Sequence, residues 1–255
     1  MSPSSHSSRH APEPEIPGKM DPMCGRIALF TPPAHLARFL DAALAAGIDP
    51  DEPSWNVGPQ RTLFAATERD ETRVLDRYRW GLVPSWSKDA SIGNRLFNAR
   101  AETVAEKPTF RNAFAKRTCV IPADGFYEWD HRPGRHRQPH YFTRVDEEPL
   151  LFAGLYEYWR DATIPHAELL KTCTIITTTP GEDLEELHDR MPVVLERDDI
   201  ETWLNVIEYG PDERHLLLRP APRGTLTHYG VDPAVGSVKN DGPELCVPFE
   251  PQSLF

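Results

Sequence analysis

Four residues from distant parts of the chain have the side chains that covalent chemistry needs: Cys24 in "MCGR", Asn98 in "NAR", Glu128 in "YEW" and His188 in "HDRMP". A cysteine, an imidazole and a carboxylate are the parts of a Cys/His/acid hydrolase, in which a thiolate attacks a carbonyl while histidine moves the proton. On that reading the enzyme is a peptidase or amidase, and the segment ahead of Cys24 is a candidate substrate. Each residue also has a plainer role. Cys24 can be a core thiol on a first strand, Asn98 a turn residue, Glu128 a surface acid and His188 a cation at a helix terminus. Trp80, Trp86 and Trp129 serve equally well as core aromatics.

The elements around these residues predict an α+β chain in one β-rich domain, with a mostly antiparallel mixed sheet core and short flanking helices. Residues 1–22 are Ser-, Pro- and His-rich with almost nothing to bury, so they are expected to be a disordered leader. The domain is placed at 23–250, followed by a tail at 251–255. Residues 32–46 read as a helix with Thr31 as N-cap, Pro32 in the first turn and Gly47 as the stop. Short strand-like runs follow between Phe64 and Trp80, and a second helix is expected over 108–117. "CVIPADGFYEWD" reads as a strand broken by a Pro/Gly turn, and "LLFAGLYEYW" and "TCTIITTT" are the expected central strands. In "TPGEDLEEL", Thr179 stands three residues before Glu182, a capping-box spacing that predicts a short helix delivering His188 at its end. Asp198 with Glu201 opens another.

Composition narrows the class. With 255 residues, 39% hydrophobic, the chain can bury one sizeable core. No run approaches the length needed to cross a bilayer and residues 1–22 lack the apolar stretch of a secretory signal, so a cytoplasmic protein is expected. Cys24, Cys119, Cys173 and Cys246 show no CxxC spacing, which argues against a zinc site or a disulfide framework; three are expected to be core thiols, and no metal or cofactor is expected. The net charge of −11 opposes a nucleic-acid partner, but its distribution does not. Residues 95–117 carry Arg95, Arg100, Lys107, Arg111, Lys116 and Arg117 against only Glu102 and Glu106, and residues 131–144 add four arginines and no acid. Acids concentrate at 182–186 and 196–201. Solvated charge and one basic face for DNA both fit this pattern.

Taken in order, "CGR", "WNVGP", "WGLVPSW", "NARAET", "IPADGFYEW" and "HDRMPVVL" resemble the SOS-response-associated peptidase (SRAP) family, which includes the abasic-site processing proteins. The resemblance runs from Met23 to about Val247. It implies a protein that binds single-stranded DNA and traps abasic sites covalently through an N-terminal cysteine, acting as a monomer near the nucleoid without a cofactor. An opened abasic sugar is an aldehyde, and a 1,2-aminothiol captures an aldehyde as a five-membered thiazolidine; only a cysteine at a chain terminus offers both groups. By the same resemblance Asn98 bonds the opened sugar, Glu128 shuttles protons beside Cys24, and His188 assists ring opening. Burial among Phe126, Tyr127 and Trp129 is expected to raise the Glu128 pKa. Arg26, Arg100 and Arg190 resemble cationic contacts, Trp80 and Trp129 stacking surfaces, Asn56 with Pro59 a wedge beside the lesion, and Thr179 a further DNA contact. The chain departs from the family pattern at Pro180–Gly181 and in the basic insertion "HRPGRHRQPH", which reads either as a DNA-facing loop or as a solvated hairpin tip.

An internal Cys24 has a sulfur but no amine, so this reading requires loss of residues 1–23. Translation from Met23 followed by methionine removal, or self-cleavage of the leader, would each expose the amine. The first is preferred because the low-complexity leader carries no fold or signal.

Overall fold

The computed structural model describes residues 25–48, 53–132 and 137–249. In chain order the first elements are β1 (Ile27–Leu29), α1 (Pro33–Phe39), β2 (Ala43–Leu44), β3 (Ser54–Val57), β4 (Thr62–Arg69), β5 (Thr72–Trp80), β6 (Asn98–Arg100) and α2 (Arg111–Lys116). There follow β7 (Thr118–Ala123), β8 (Gly125–Trp129), β9 (Pro139–Arg144), β10 (Leu150–Trp159) and β11 (Leu170–Thr178). The last are β12 (Met191–Pro192), α3 (Asp199–Leu204), α4 (Pro211–His215) and β13 (Leu226–Gly230).

Two sheets share these strands. The smaller is antiparallel in the order β13-β9-β8-β1-β3, and the larger runs β12-β11-β10-β7-β4-β5-β2. In the larger, β11 also pairs in parallel with β5 through Thr172↔Arg79 and Cys173↔Trp80, so that β5, β4, β7, β10 and β11 close on themselves as a barrel. With β6 laid parallel along β11, the sheet is mixed and the expected α+β, β-rich class holds. β10 is buried at nine of its ten residues, as a continuous apolar run demands when both faces are covered. Phe126 of β8 stacks on Phe142 of β9 at 4.9 Å and meets Phe152 of β10 edge-on at 5.9 Å, which fastens the small sheet to the barrel.

The crossing between sheets falls at the anticipated Pro/Gly break. Asp124 leaves β7 and its carboxylate accepts from the Phe30 and Thr31 backbone N–H groups at 2.6 and 2.9 Å and from the Thr31 hydroxyl. Gly125 then begins β8 with a Cβ position only 2.4 Å from the Tyr141 ring, so no larger residue fits there without displacing that ring.

Local signals misplaced two helices. The helix expected over 32–46 stops at Phe39, because Asp41 takes a left-handed φ of 50° and closes the end with Ala42 N–H to Ala37 O at 2.8 Å and Asp41 N–H to Arg38 O at 3.2 Å. Ala43 and Leu44, which continued the helical spacing, pair with Val74 and Leu75 instead. Thr31 is committed to Asp124, and Pro32 holds the cap position. Residues 182–187 form successive turns rather than the helix expected behind Thr179 and Glu182, and the Asp183 carboxylate among them accepts from the Gly224 and Leu226 N–H groups. The turns still deliver His188, whose N–H bonds Leu184 O at 3.1 Å. Cys119 and Cys173 are fully buried core thiols whose pKa values burial pushes up. Cys246 is only half-buried, against the Tyr127 hydroxyl at 2.9 Å.

Candidate active site

Gly25 and Arg26 enter the small sheet immediately before β1. The Tyr127 N–H donates to Arg26 O at 3.0 Å and continues the register in which Ile27 faces Phe126, so β8 carries Glu128 and Trp129 past Gly25. Trp129, His131 and Arg137 from the β8–β9 hairpin, together with Gly25, Arg26, Pro59, Phe97 and Gly236, line a pocket of about 460 Å³. Cys24 lies outside the described residues.

Behind this pocket sits a buried acid–imidazole pair. Glu128 and His188 are 2% and 3% exposed, and His188 Nε2 stands 3.7 Å from Glu128 Oε2. A carboxylate so far from water needs a polar partner, and the imidazole supplies one. The His188 Nδ1 lies 3.1 Å from the Arg190 backbone nitrogen and 3.2 Å from the Arg190 carbonyl oxygen, so the Arg190 backbone fixes the ring while Nε2 faces the acid. Asp189 Oδ1, at 3.2 Å from Nδ1, would serve the doubly protonated ring. The His131 ring meets His188 edge-on at 4.2 Å and also lines the pocket, while its backbone N–H bonds Leu187 O at 3.0 Å. The pair therefore communicates with the pocket through an imidazole wall.

Arg26 is half-buried and held by its own surroundings. Its guanidinium donates to Gly236 O at 3.0 Å, and a Cβ on Gly58 would stand 3.2 Å from its Nη1. Burial lowers its pKa from the usual arginine value, without removing the charge at neutral pH. Asn98 is half-buried at the start of β6, next to the pocket residue Phe97, opposite Ile175 of β11. Arg100 is exposed two residues further on.

Other expected residues sit elsewhere. Trp80 is fully buried, edge-on to Phe97, with its indole N–H donating to Phe97 O at 2.8 Å. It offers no face to a base and instead supports a pocket residue from behind. Arg190 is 8% exposed and committed to Glu102 as a two-pronged ion pair and to Thr177 O at 2.7 Å, so its guanidinium is structural rather than a phosphate contact. That pairing holds the Glu102 carboxyl below its ordinary pKa. Thr179 is exposed at the end of β11 and is absent from the pocket lining. Asn56 is 3% exposed and its side-chain amide lies 3.1, 3.0 and 2.9 Å from the carbonyls of Val235, Ser237 and Asn240. It pins the segment that brings Gly236 to the pocket, whereas Pro59 of the same motif does line the pocket. Asn56→Ala is expected to cost about 1–3 kcal/mol of stability by releasing those contacts, and urea unfolding of the two proteins checks it. An unchanged midpoint would show that the segment is held by other means.

Phe97, His131, Arg137 and Gly236 were not singled out in the sequence. His131 and Arg137 belong to the basic insertion, lie between β8 and β9 and line the pocket, while residues 133–136 of the insertion lie outside the described residues. Phe97 and Gly236 carry no chemical signal in one dimension. Among the described residues no group of three or more His, Cys, Asp or Glu is placed to hold a metal ion.

This fold and site define a family. The family model for the SOS response associated peptidase (SRAP) matches residues 23–238, and the chain belongs to that family. It is 40% identical over 229 residues to the abasic site processing protein YoqW of Bacillus subtilis (strain 168), covering 88% of this chain and 98% of the relative. It is 35% identical over 229 residues to the abasic site processing protein HMCES of Gallus gallus, covering 78% of this chain and 67% of that one. In fold it matches a crystal structure of a protein from Bacteroides thetaiotaomicron with a TM-score of 0.77 at 24% identity, covering 89% of this chain and all of the other.

Proposed function

We propose that this protein captures abasic sites in single-stranded DNA as a covalent thiazolidine on Cys24, once residues 1–23 have been removed. The observation that carries the proposal is the buried Glu128–His188 pair, which opens through His131 onto a pocket whose wall begins at Gly25. Cys24 is joined by one peptide bond to Gly25, which lines that pocket. The names of the relatives support the substrate.

The chemistry balances without a cofactor. The neutral α-amine of Cys24 adds to C1′ of the opened sugar, and loss of one water leaves an imine. The thiol sulfur then bonds to the same carbon and its proton passes to the imine nitrogen, closing the ring with nothing further lost. Imine formation carries both amine protons to the departing oxygen and ring closure carries the thiol proton to the imine nitrogen, and the Glu128–His188 pair is the acid–base couple at hand for these transfers. Asn98 is assigned to the sugar hydroxyls. Arg26, Arg100 and Arg137 are assigned to the phosphates and Trp129 to an adjacent base. Sulfur, imidazole and carboxylate are also the parts of a peptidase, so self-cleavage of the Met23–Cys24 bond is kept as the second route to a free amine, behind translation from Met23.

Incubation with an oligonucleotide carrying one abasic site, followed by a denaturing gel, tests the function. A protein band shifted by the mass of the oligonucleotide is expected, and no shift with an intact oligonucleotide. If three cations meet phosphates, binding to single-stranded DNA is expected to weaken with a log–log salt slope of about −2, measured by fluorescence anisotropy. A slope near zero would remove these arginines from the interface. Among the described residues no helix is long and apolar enough to cross a membrane.

A further inference from the structure

On the edge strand β13 of the small sheet and its neighbour β9, two histidines well apart in sequence meet. His140 of β9 and His228 of β13 place their Nδ1 atoms 3.1 Å apart, with ring centroids at 5.1 Å and planes inclined by 63°. The register explains the approach. His140 stands opposite Gly230 and His228 opposite Phe142, so the two imidazoles are diagonal neighbours on one face, and Gly230 offers no side chain to separate them. Phe142 packs on the His228 ring at 4.9 Å and limits its orientation.

Two nitrogens at 3.1 Å are at the spacing of a chelate. Ligands about 2.05 Å from one ion, subtending roughly 90–110°, lie about 2.9–3.4 Å apart. We propose that His140 and His228 form a two-imidazole site for a divalent transition-metal ion of the zinc type, with water completing its coordination shell. Imidazole nitrogen is the donor that zinc, copper and nickel prefer over magnesium or calcium. His228 is exposed and His140 half-buried, so an ion and its waters have access. Binding would need both rings in the neutral form, so zinc affinity is expected to fall as pH is lowered. The charge near His228 also suits a cation, since it comes from Asp183 and Glu186, while the Asp130 carboxylate near His140 is paired with Arg132 at 2.6 Å.

The consequence is mechanical. β13 is an edge strand and leads into residues 231–246, the segment that brings Gly236 to the pocket. An ion held by β9 and β13 ties that edge to the sheet in the native state only, so it must raise stability.

Zinc sulfate added to the full chain is the test, read by calorimetric titration and by thermal unfolding. Ten histidines occur in the chain, so the comparison is between variants rather than against zero. The unchanged protein and a control, His166→Ala, are expected to show the same zinc-dependent rise in unfolding temperature. His228→Asn and His140→Ala are each expected to lose that rise and to bind zinc at least about tenfold more weakly, the penalty that even outer-shell partners carry. His228 is exposed, so His228→Asn should fold normally in metal-free buffer. Equal zinc responses in the unchanged protein and His228→Asn would overturn the site, as would an unchanged protein that shows a proton shared between the two rings by NMR and no response to zinc.

Discussion

Cys24→Ala is expected to give no DNA-shifted band on a denaturing gel, while its noncovalent affinity for single-stranded DNA stays within about twofold of the unchanged protein. Affinity comes from arginines and stacking aromatics, which the substitution leaves in place, whereas capture needs the sulfur. The amine is expected to be equally necessary. Acetylation of the Cys24 α-amine, or an uncleaved tag ahead of it, should abolish capture with the thiol intact, because a lone thiol gives only a thiohemiacetal that falls apart on denaturation. A persistent band from Cys24→Ala would reassign the nucleophile to another residue.

The second large effect is expected at the buried pair. Glu128→Gln and His188→Ala should each slow single-turnover adduct formation by roughly 10² to 10⁴, the range for a positioned general acid or base. Glu128→Gln is the cleaner of the two. It keeps the volume of a side chain that is 2% exposed and removes its exchangeable proton, so the fold should survive and a lost rate can be assigned to proton transfer. His188→Ala also opens a cavity beside His131, so its thermal unfolding must be measured alongside its rate. Unchanged rates in both would leave the pair a structural device that seats the β8–β9 hairpin.

Much of this was legible in the chain because it rests on residue type and local pattern. The apolar runs of β10 and β11 could only be central strands, and the Pro/Gly break before "FYEW" did mark the passage from barrel to small sheet. Glu128 and His188 were named from the family resemblance rather than from either residue alone, and the structure brings them to 3.7 Å. What the sequence withheld depends on long-range competition. Nothing near Arg190 reveals that Glu102 and Thr177 claim its guanidinium, and nothing near Asn56 shows three carbonyls from residues 235–240 converging on its amide. Trp80 read as a stacking surface because a tryptophan in a motif looks the same exposed or buried; only the barrel closure, in which β5 meets β11, settles that it faces inward. The end of α1 was hidden for a different reason, since Asp41 adopts the left-handed conformation that a glycine would have announced.

The central claim is that one carbon of the sugar is bonded to both the amine and the sulfur of a terminal Cys24. Intact mass of the adduct, formed with an abasic oligonucleotide by protein purified from its native host, tests this most directly. The account predicts a chain running from Cys24 to Phe255 plus the oligonucleotide minus one water, with no gain of two hydrogens after borohydride treatment, the gain that an open imine of the same mass would show. An adduct whose protein part still carries residues 1–23, or whose mass shows no loss of water, would contradict it.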